Sequence, residues 1–314
     1  MARSPLPLAL ALALAAPSLG CTVGTVLARN ADALVATPAP VPHRINRPFR
    51  ADARLAVLWI GHATALVQID DKLILTDPVF TDTVGQLSRR LVEPGLLPEA
   101  LPHVDAVLIS HMHADHLSIG SLERIERKVG FLVVPQKGTV YVPDFRFETV
   151  ELPSWQTFER GGLRVTAVPV KHSGFRWVVD GEWMTTSFTG YVIEYHGLTV
   201  YFGGDTAYTK ESFTATRARF PTLDVALLPI SPINPRALVK NSHMDPREAL
   251  WAFRDLGARW MVPIHFGTFV NSTDAPEEPV RVLRQEMAAQ RVTEEEVRVL
   301  AIGEQQVLVA RGDL

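Results

Sequence analysis

The chain has 314 residues, of which 47% are hydrophobic and 21% are charged, and its formal net charge at pH 7 is −3. This apolar content supports a folded core and excludes a disordered chain, and the lack of a basic excess argues against nucleic-acid binding through bulk charge. The single cysteine, Cys21, excludes a disulfide scaffold.

The first 21 residues have the features of an export signal. Arg3 precedes an apolar run at 6–16, which is too short to span a bilayer but matches the apolar region of a signal peptide. The small residue before Cys21 resembles a bacterial lipoprotein site, although Ser18 stands where leucine is usual. The sequence predicts an exported protein that is periplasmic or anchored as a lipoprotein, with an uncleaved anchor as the alternative.

Residues 22–50 are rich in alanine and proline without sustained periodicity, so we predict a surface arm there. Residues 51–314 are predicted to form a single domain. Apolar and β-branched runs predict its strands at 55–60, 64–69, 72–76, 106–110, 131–134, 163–168, 191–195, 198–202, 225–228, 260–264, 297–301 and 306–310.

Helices are predicted at 118–128 and 277–289, and a third is marked by a start and a stop signal. Asp245 followed by Pro246 and Glu248 has the pattern of a capping box with proline in the first turn, and Gly257 is a typical stop. Strands interspersed with helices predict an α/β domain of two sheets with helices outside.

Four side chains that can bind a metal ion follow the predicted strand 106–110 within six residues: His111, His113, Asp115 and His116. Three further residues of this type each follow another apolar run: His172, Asp205 and His265. Imidazole and carboxylate groups suit zinc, iron or manganese. Each of the later three alone is more often structural, but the seven together predict a dinuclear metal site.

These residues resemble the ligand pattern of the metallo-β-lactamase-fold hydrolases. Further blocks narrow the resemblance: WIGHAT at 59–64, TDPVF at 76–80, FGGDT at 202–206, LPI at 228–230, HMDP at 243–246 and IHFGTF at 264–269. They are similar to the branch that contains N-acyl-phosphatidylethanolamine-hydrolysing phospholipase D and the ascorbate-6-phosphate lactonases. The resemblance implies a four-layer αβ/βα sandwich of two mixed sheets with outer helices, and metals at the edge where its halves meet.

The resemblance also assigns ligands. It gives the first metal His111, His113 and His172, and it gives the second metal Asp115, His116 and His265. Asp205 would bridge two divalent ions, with Zn²⁺ expected first and iron or manganese left open. The charges of Asp205 and Asp115 leave the pair of cations net positive, which favours ionised water as the nucleophile, so Asp115 is expected to be catalytic as well as a ligand.

Three residues outside this ligand set are expected near the same edge. His62 and His243 are expected to contact substrate, and His243 to hold a phosphate or protonate a leaving group as a catalytic residue. Asp77 is expected to orient a ligand imidazole, with an ordinary turn role as the alternative. The aromatic segment 173–188 is expected either to line the mouth of the site or to pack into the core.

The sequence thus predicts a dinuclear-metal-dependent hydrolase, a phosphodiesterase of phospholipase D type acting on N-acyl-phosphatidylethanolamine or a related phosphodiester. A lactonase or other carboxylic-ester hydrolase is the alternative, and a non-catalytic exported metal-binding protein is an alternative of another class. The expected partners are a small-molecule or phospholipid substrate and a membrane contacted through the N terminus, with no nucleic acid.

Overall fold

The computed structural model describes residues 22–42, 44–85, 88–181 and 183–312. The predicted export signal, including Cys21, lies outside the described residues. Among the described residues, no helix has the length and apolar character needed to cross a bilayer.

One mixed sheet has seven strands: β1 (Ala53–Gly61), β2 (Thr64–Ile69), β3 (Lys72–Thr76), β6 (Val104–Leu108), β7 (Val129–Pro135), β8 (Glu148–Leu152) and β15 (Gln305–Ala310). Their order is β15-β1-β2-β3-β6-β7-β8. The strands from β15 to β3 pair antiparallel, and those from β3 to β8 pair parallel.

The second mixed sheet has six strands: β9 (Thr157–Arg160), β10 (Leu163–Val168), β11 (Gly190–Tyr195), β12 (Leu198–Phe202), β13 (Val225–Pro229) and β14 (Trp260–Ile264). Their order is β14-β13-β12-β11-β10-β9, and β12, β13 and β14 are parallel. A short hairpin pairs β4 (Thr83–Val84) with β5 (Ser88–Arg89).

The helices are α1 (22–35), α2 (Ile119–Ile125), α3 (Lys210–Arg219), α4 (Arg236–Val239), α5 (Pro246–Leu256) and α6 (Glu278–Gln290). Three 3₁₀ turns cover Glu126–Lys128, Gly138–Tyr141 and Val178–Asp180. The predicted start of α5 is confirmed, because the Asp245 side chain accepts a hydrogen bond from Glu248 N and Glu248 reaches back to Asp245 N. Gly257 ends the helix in the left-handed conformation.

Strand β1 shows why the fold has four layers. Its alternate residues Leu55, Val57 and Trp59 belong to the apolar cluster between the two sheets. Leu58 and Ile60 point to the opposite face and belong to a second cluster, which includes residues of α2. Because both faces are covered, the strand is a nearly continuous apolar run. The predicted α/β sandwich of two mixed sheets with outer helices is therefore confirmed.

Three local expectations were wrong or incomplete. The predicted arm contains α1, whose side chains are mostly exposed and which therefore lacks an apolar face that periodicity could detect. The predicted strand 297–301 makes only an isolated bridge from Val297 to Met261 in the described structure. Strand β9 and helix α3 were missed because both are largely exposed and polar.

Candidate metal centre

The candidate ligands converge at one edge of the sandwich. His111 follows β6, Asp205 follows β12 and His265 follows β14, and these strands belong to the parallel parts of the two sheets. Because parallel strands end together, residues just beyond them meet at the same edge. His172 arrives at this edge four residues beyond β10.

Ligand atoms within 4.8 Å of one another form four groups. The groups are His62, Asp115, His116 and His265; His111, His113 and His172; His111, His116 and Asp205; and His172, Asp205 and His243. The structure thus brings together all seven expected ligands and adds His62 and His243 at the same distances. Asp205 belongs to two groups that overlap both expected metal positions, as a bridging carboxylate requires.

The cluster contains buried polar atoms that lack a hydrogen bond within the described part of the chain. They are His113 Nε2, His116 Nε2, His172 Nε2, His243 Nδ1, His265 Nε2 and Asp205 Oδ1. Leaving one such atom unsatisfied costs about 1–3 kcal/mol, so several in one place require a common partner. Divalent cations satisfy imidazole and carboxylate lone pairs together, so the residues present fit the metals implied by the fold.

Backbone carbonyls fix the tautomers of two of these imidazoles. His172 Nδ1 lies 2.8 Å from the Ser242 carbonyl oxygen, and His265 Nδ1 lies 3.0 Å from that of Ser231. Because a carbonyl oxygen only accepts, each Nδ1 carries the proton and donates it. The two Nε2 atoms are therefore left as lone pairs that can bind a metal.

Asp77 organises two more candidate ligands from a fully buried position. Its carboxylate accepts hydrogen bonds from Ser110 N at 2.7 Å and Ser110 Oγ at 2.6 Å, and it lies 2.6 Å from His116 Nδ1. Ser110 Oγ is also 2.9 Å from His111 Nδ1. Asp77 therefore orients His116 directly and His111 through Ser110, which favours the orienting role over a turn role.

Burial and charge set the protonation of the cluster. Burial lowers the pKa of the His111 and His172 imidazoles well below the usual value, which keeps them neutral. Burial raises the pKa of Asp205, but the neighbouring His265 and His116 lower it by more. Its pKa therefore lies well below the usual value, and the group stays ionised.

His116 has the opposite behaviour. Burial lowers its pKa, but Asp205, Asp115 and Asp77 more than reverse this effect, so its pKa lies well above the usual value. The ring is cationic when no metal is bound. A metal ion that binds Nε2 must therefore displace a proton.

His62 lies within the cluster, in contact with candidate ligands. Its side chain is only 2% exposed, its Nε2 lies 3.1 Å from Asp115 Oδ2, and its ring centroid is 4.0 Å from that of His265. Burial lowers its pKa to about 3, so it is neutral at pH 7. The enclosed side chain contacts a candidate ligand, which supports a role in positioning Asp115 or as an additional ligand, and its expected contact with substrate stays a prediction.

His243 is placed where the sequence expects it, facing the cluster. Its side chain is 17% exposed, and its Nδ1 lies 3.5 Å from Asp205 Oδ2. Arg236 fixes the backbone, because its Nη1 donates to the His243 carbonyl oxygen at 2.9 Å, and its guanidinium also bonds Glu248 in the α5 capping box. His243 is thus a partly accessible imidazole next to the candidate metals.

The aromatic segment 173–188 divides between the two expected roles. Met184 is buried, and the Phe175 ring lies 4.7 Å from the His113 ring. Trp177 and Trp183 are 60% and 64% exposed, and Val179 is 89% exposed. The described residues of the segment include a 3₁₀ turn, and they pack partly into the core and partly present apolar side chains to solvent.

Sequence reasoning missed the groups that orient the ligands. The carbonyls of Ser231 and Ser242 act through backbone atoms, so their side chains gave no signal. Ser110 could have been found, because it stands directly before His111 at a strand end. Apart from the WIGHAT block, nothing in the sequence indicated that His62 lies within metal-ligand distance of Asp115, His116 and His265.

Comparisons with known proteins agree with this geometry. A family model described as a beta-lactamase superfamily domain matches residues 72–266. A protein of Mycobacterium tuberculosis is 37% identical over 271 residues, which cover 81% of this chain and 70% of that protein. The N-acyl-phosphatidylethanolamine-hydrolyzing phospholipase D 1 of Caenorhabditis elegans is 29% identical over 268 residues, 80% of this chain and 74% of that enzyme.

A solved structure shows the same fold. The isothiocyanate hydrolase from Delia radicum gut bacteria superposes with a TM-score of 0.65 at 18% identity, covering 82% of this chain and 100% of that chain. The family match covers more than half of the chain, and the sandwich and the histidine–aspartate cluster agree with it. The chain therefore belongs to the β-lactamase superfamily, as a metal-dependent hydrolase of the metallo-β-lactamase fold.

Proposed function

We propose that the chain is a dinuclear-metal-dependent phosphodiesterase of phospholipase D type, acting on N-acyl-phosphatidylethanolamine or a related phosphodiester. The observation that carries the proposal is that Asp205 lies within ligand distance of members of both expected metal sites, in a cluster whose buried atoms lack hydrogen bonds within the described residues. The similarity to the C. elegans phospholipase D supports the choice of substrate.

His111, His113 and His172 would hold one cation, and Asp115, His116 and His265 the other, with Asp205 shared. Divalent cations bound there supply Lewis acidity at a phosphoryl oxygen and lower the pKa of water. The chain's own contribution is to fix the donor atoms beforehand: the Ser231 and Ser242 carbonyls and Asp77 hold the imidazoles by their Nδ1 atoms, which leaves the Nε2 atoms for the cations.

His243 is the residue best placed to contact the reacting phosphodiester. Burial lowers its pKa to about 4, so the ring is neutral at pH 7 and carries one N–H. A neutral ring donates a hydrogen bond to a phosphoryl or leaving-group oxygen, and it does not bring a second full positive charge next to the cations. Its 17% exposure leaves one side open to substrate.

The exposed apolar side chains beside the site support an amphiphilic substrate. Trp177, Val179 and Trp183 present apolar surface on the loop that carries Phe175 against His113. We place the mouth of the site at this loop. Isolated exposed apolar residues are ordinary, but two exposed tryptophans on one loop favour contact with lipid or another apolar ligand. Export, with anchoring through Cys21, would bring this mouth near membrane phospholipid and is part of the proposal.

The test compares two substrate classes on one sample of known metal content. We expect the zinc-loaded protein to cleave bis-p-nitrophenyl phosphate and to release N-acylethanolamine from N-acyl-phosphatidylethanolamine micelles, and we expect chelation to abolish both activities. A panel of lactones and carboxylic esters serves as the comparison. Turnover of that panel without phosphodiester turnover would overturn the proposal in favour of the lactonase, and two bound metals without turnover on either panel would favour a non-catalytic metal-binding protein.

A further inference from the structure

A cavity of about 730 Å³ opens beside the end of β1, between the loop after β14, helix α6 and residues 300–302. None of its lining residues belongs to the four groups of candidate ligands. Its apolar wall includes Val41, Trp59, Phe266, Val280, Leu300 and Ile302. The volume lies within the range of about 300–1,000 Å³ typical of small-molecule sites, and the wall is predominantly apolar as in such sites.

The charged residues of the cavity indicate the sign of the charge on its ligand. Arg281 and Arg284 lie three residues apart on α6, so they share one face of the helix, and Glu277 is the only acidic residue in the lining. The two arginine side chains are 56% and 61% exposed. Two guanidinium groups and one carboxylate thus line the cavity, and the carboxylates of Glu278 and Glu294 lie beside the arginines outside the lining.

The existing partners of these arginines are weak. Arg281 reaches Glu278 and Gln285 at 3.4 Å each, and Arg284 reaches Glu294 at 3.8 Å. Such long, exposed contacts contribute little to stability. Both guanidinium groups can therefore turn to a ligand anion at low cost.

We propose that this cavity binds a single-chain amphiphile with an anionic head group, of the fatty-carboxylate type. The alkyl chain lies against Trp59, Phe266 and Val280, and the carboxylate pairs with Arg281 and Arg284. Arginine offers a carboxylate paired N–H donors in matching geometry, which suits this head group. The inference is independent of the proposed phosphodiesterase activity, because it uses none of the candidate ligands.

The wall of the cavity is joined to the backbone that carries two residues of the metal centre. The Trp59 ring stacks on Phe266 at 4.3 Å, and its Nε1 donates to the His62 carbonyl oxygen at 2.9 Å. His265 N donates to the same carbonyl oxygen at 2.9 Å. A bound chain would contact the Trp59 indole, so tryptophan fluorescence can report binding without any measurement of catalysis.

The experiment titrates the whole protein with dodecanoate and with dodecyltrimethylammonium, which has the same chain and the opposite charge, both below their micellar concentrations. Calorimetry and tryptophan fluorescence follow the binding. We expect saturable 1:1 binding of dodecanoate, at least tenfold tighter than that of the cation. Equal or tighter binding of the cation, or no saturable binding of dodecanoate, would overturn the proposal.

Variants locate the site. Combined Arg281→Gln and Arg284→Gln substitutions change exposed side chains only. We expect them to weaken the binding of dodecanoate at least tenfold and to change the binding of dodecyltrimethylammonium less than threefold. Val280→Trp should fill the cavity and weaken both ligands. Arg247→Gln, on the exposed face of α5, is the matched control and should change neither. Unaltered dodecanoate binding in the double variant would place the head group elsewhere and refute the assignment.

Discussion

The substitution Asp77→Asn changes one buried atom and tests how the metal centre is organised. Ser110 N can only donate, so the oxygen of the new amide must face it, at the position where Asp77 Oδ1 now accepts at 2.7 Å. The amide nitrogen then takes the position of Oδ2, which lies 2.6 Å from His116 Nδ1. Because an amide N–H donates, His116 Nδ1 must become an acceptor.

This change transfers the remaining imidazole proton to Nε2, the atom that lies 3.3 Å from Asp205 Oδ2 and faces the candidate metals. A protonated Nε2 cannot bind a cation. Loss of an orienting partner of a metal-binding histidine typically costs 10–100-fold in affinity, or about 1.4–2.7 kcal/mol. We expect a weakening of this size for the metal held by His116, with the fold retained because the two side chains have the same shape.

The assay is competition for zinc with a chelator of known affinity, together with metal content by mass spectrometry and a thermal melt of the chelated protein. Asp82→Asn, at an exposed position five residues further along, is the control and should bind zinc like the parent. If Asp77→Asn bound two ions with parental affinity while melting normally, the tautomer argument would be refuted.

Three further results are expected. Because the pKa of His116 lies well above its usual value, zinc binding at pH 7 should release a proton and should tighten as the pH rises. Calorimetry in buffers of different ionisation enthalpy measures the number of protons released. Zinc binding without proton release would contradict this prediction. His243→Ala should keep its metals but lower kcat on phosphodiesters about 10²–10⁴-fold. The control His103→Ala, at an exposed position, should leave kcat unchanged. Loss of a metal in His243→Ala would instead identify His243 as a ligand. Replacing Trp177 and Trp183 with serine should lower kcat/KM on micellar N-acyl-phosphatidylethanolamine and leave bis-p-nitrophenyl phosphate unchanged; equal losses on both would show that these side chains shape the site itself.

The strands that carry the site could be predicted because they are buried on both faces. Strands β12 and β14 are buried throughout and mostly apolar, and each is followed closely by a residue of ligand type, Asp205 or His265. A buried apolar run that ends in such a residue marks both a strand and its functional edge. The same logic failed for 297–301, where Val297 and Leu300 are buried by packing without continuous strand pairing.

Roles that depend on where a side chain points could not be predicted from residue type. His62 and His243 look equivalent in sequence, yet one is 2% exposed against Asp115 and the other 17% exposed beside Asp205. The chain conformation around them decides the difference: His62 adopts a left-handed backbone, and its amide donates to Thr268 Oγ1 at 2.7 Å. Such contacts link residues far apart in the sequence and leave no local pattern.

The central claim is that seven side chains hold two cations around one shared carboxylate, that of Asp205. The number of metal ions bound by the parent protein and by Asp205→Asn tests this claim most directly. We expect two zinc ions per parent chain, and no more than one in Asp205→Asn at the same free zinc concentration. Asp144→Asn, at an exposed position, should retain two. Two tightly held ions in Asp205→Asn, or fewer than two in the saturated parent, would contradict the assignment.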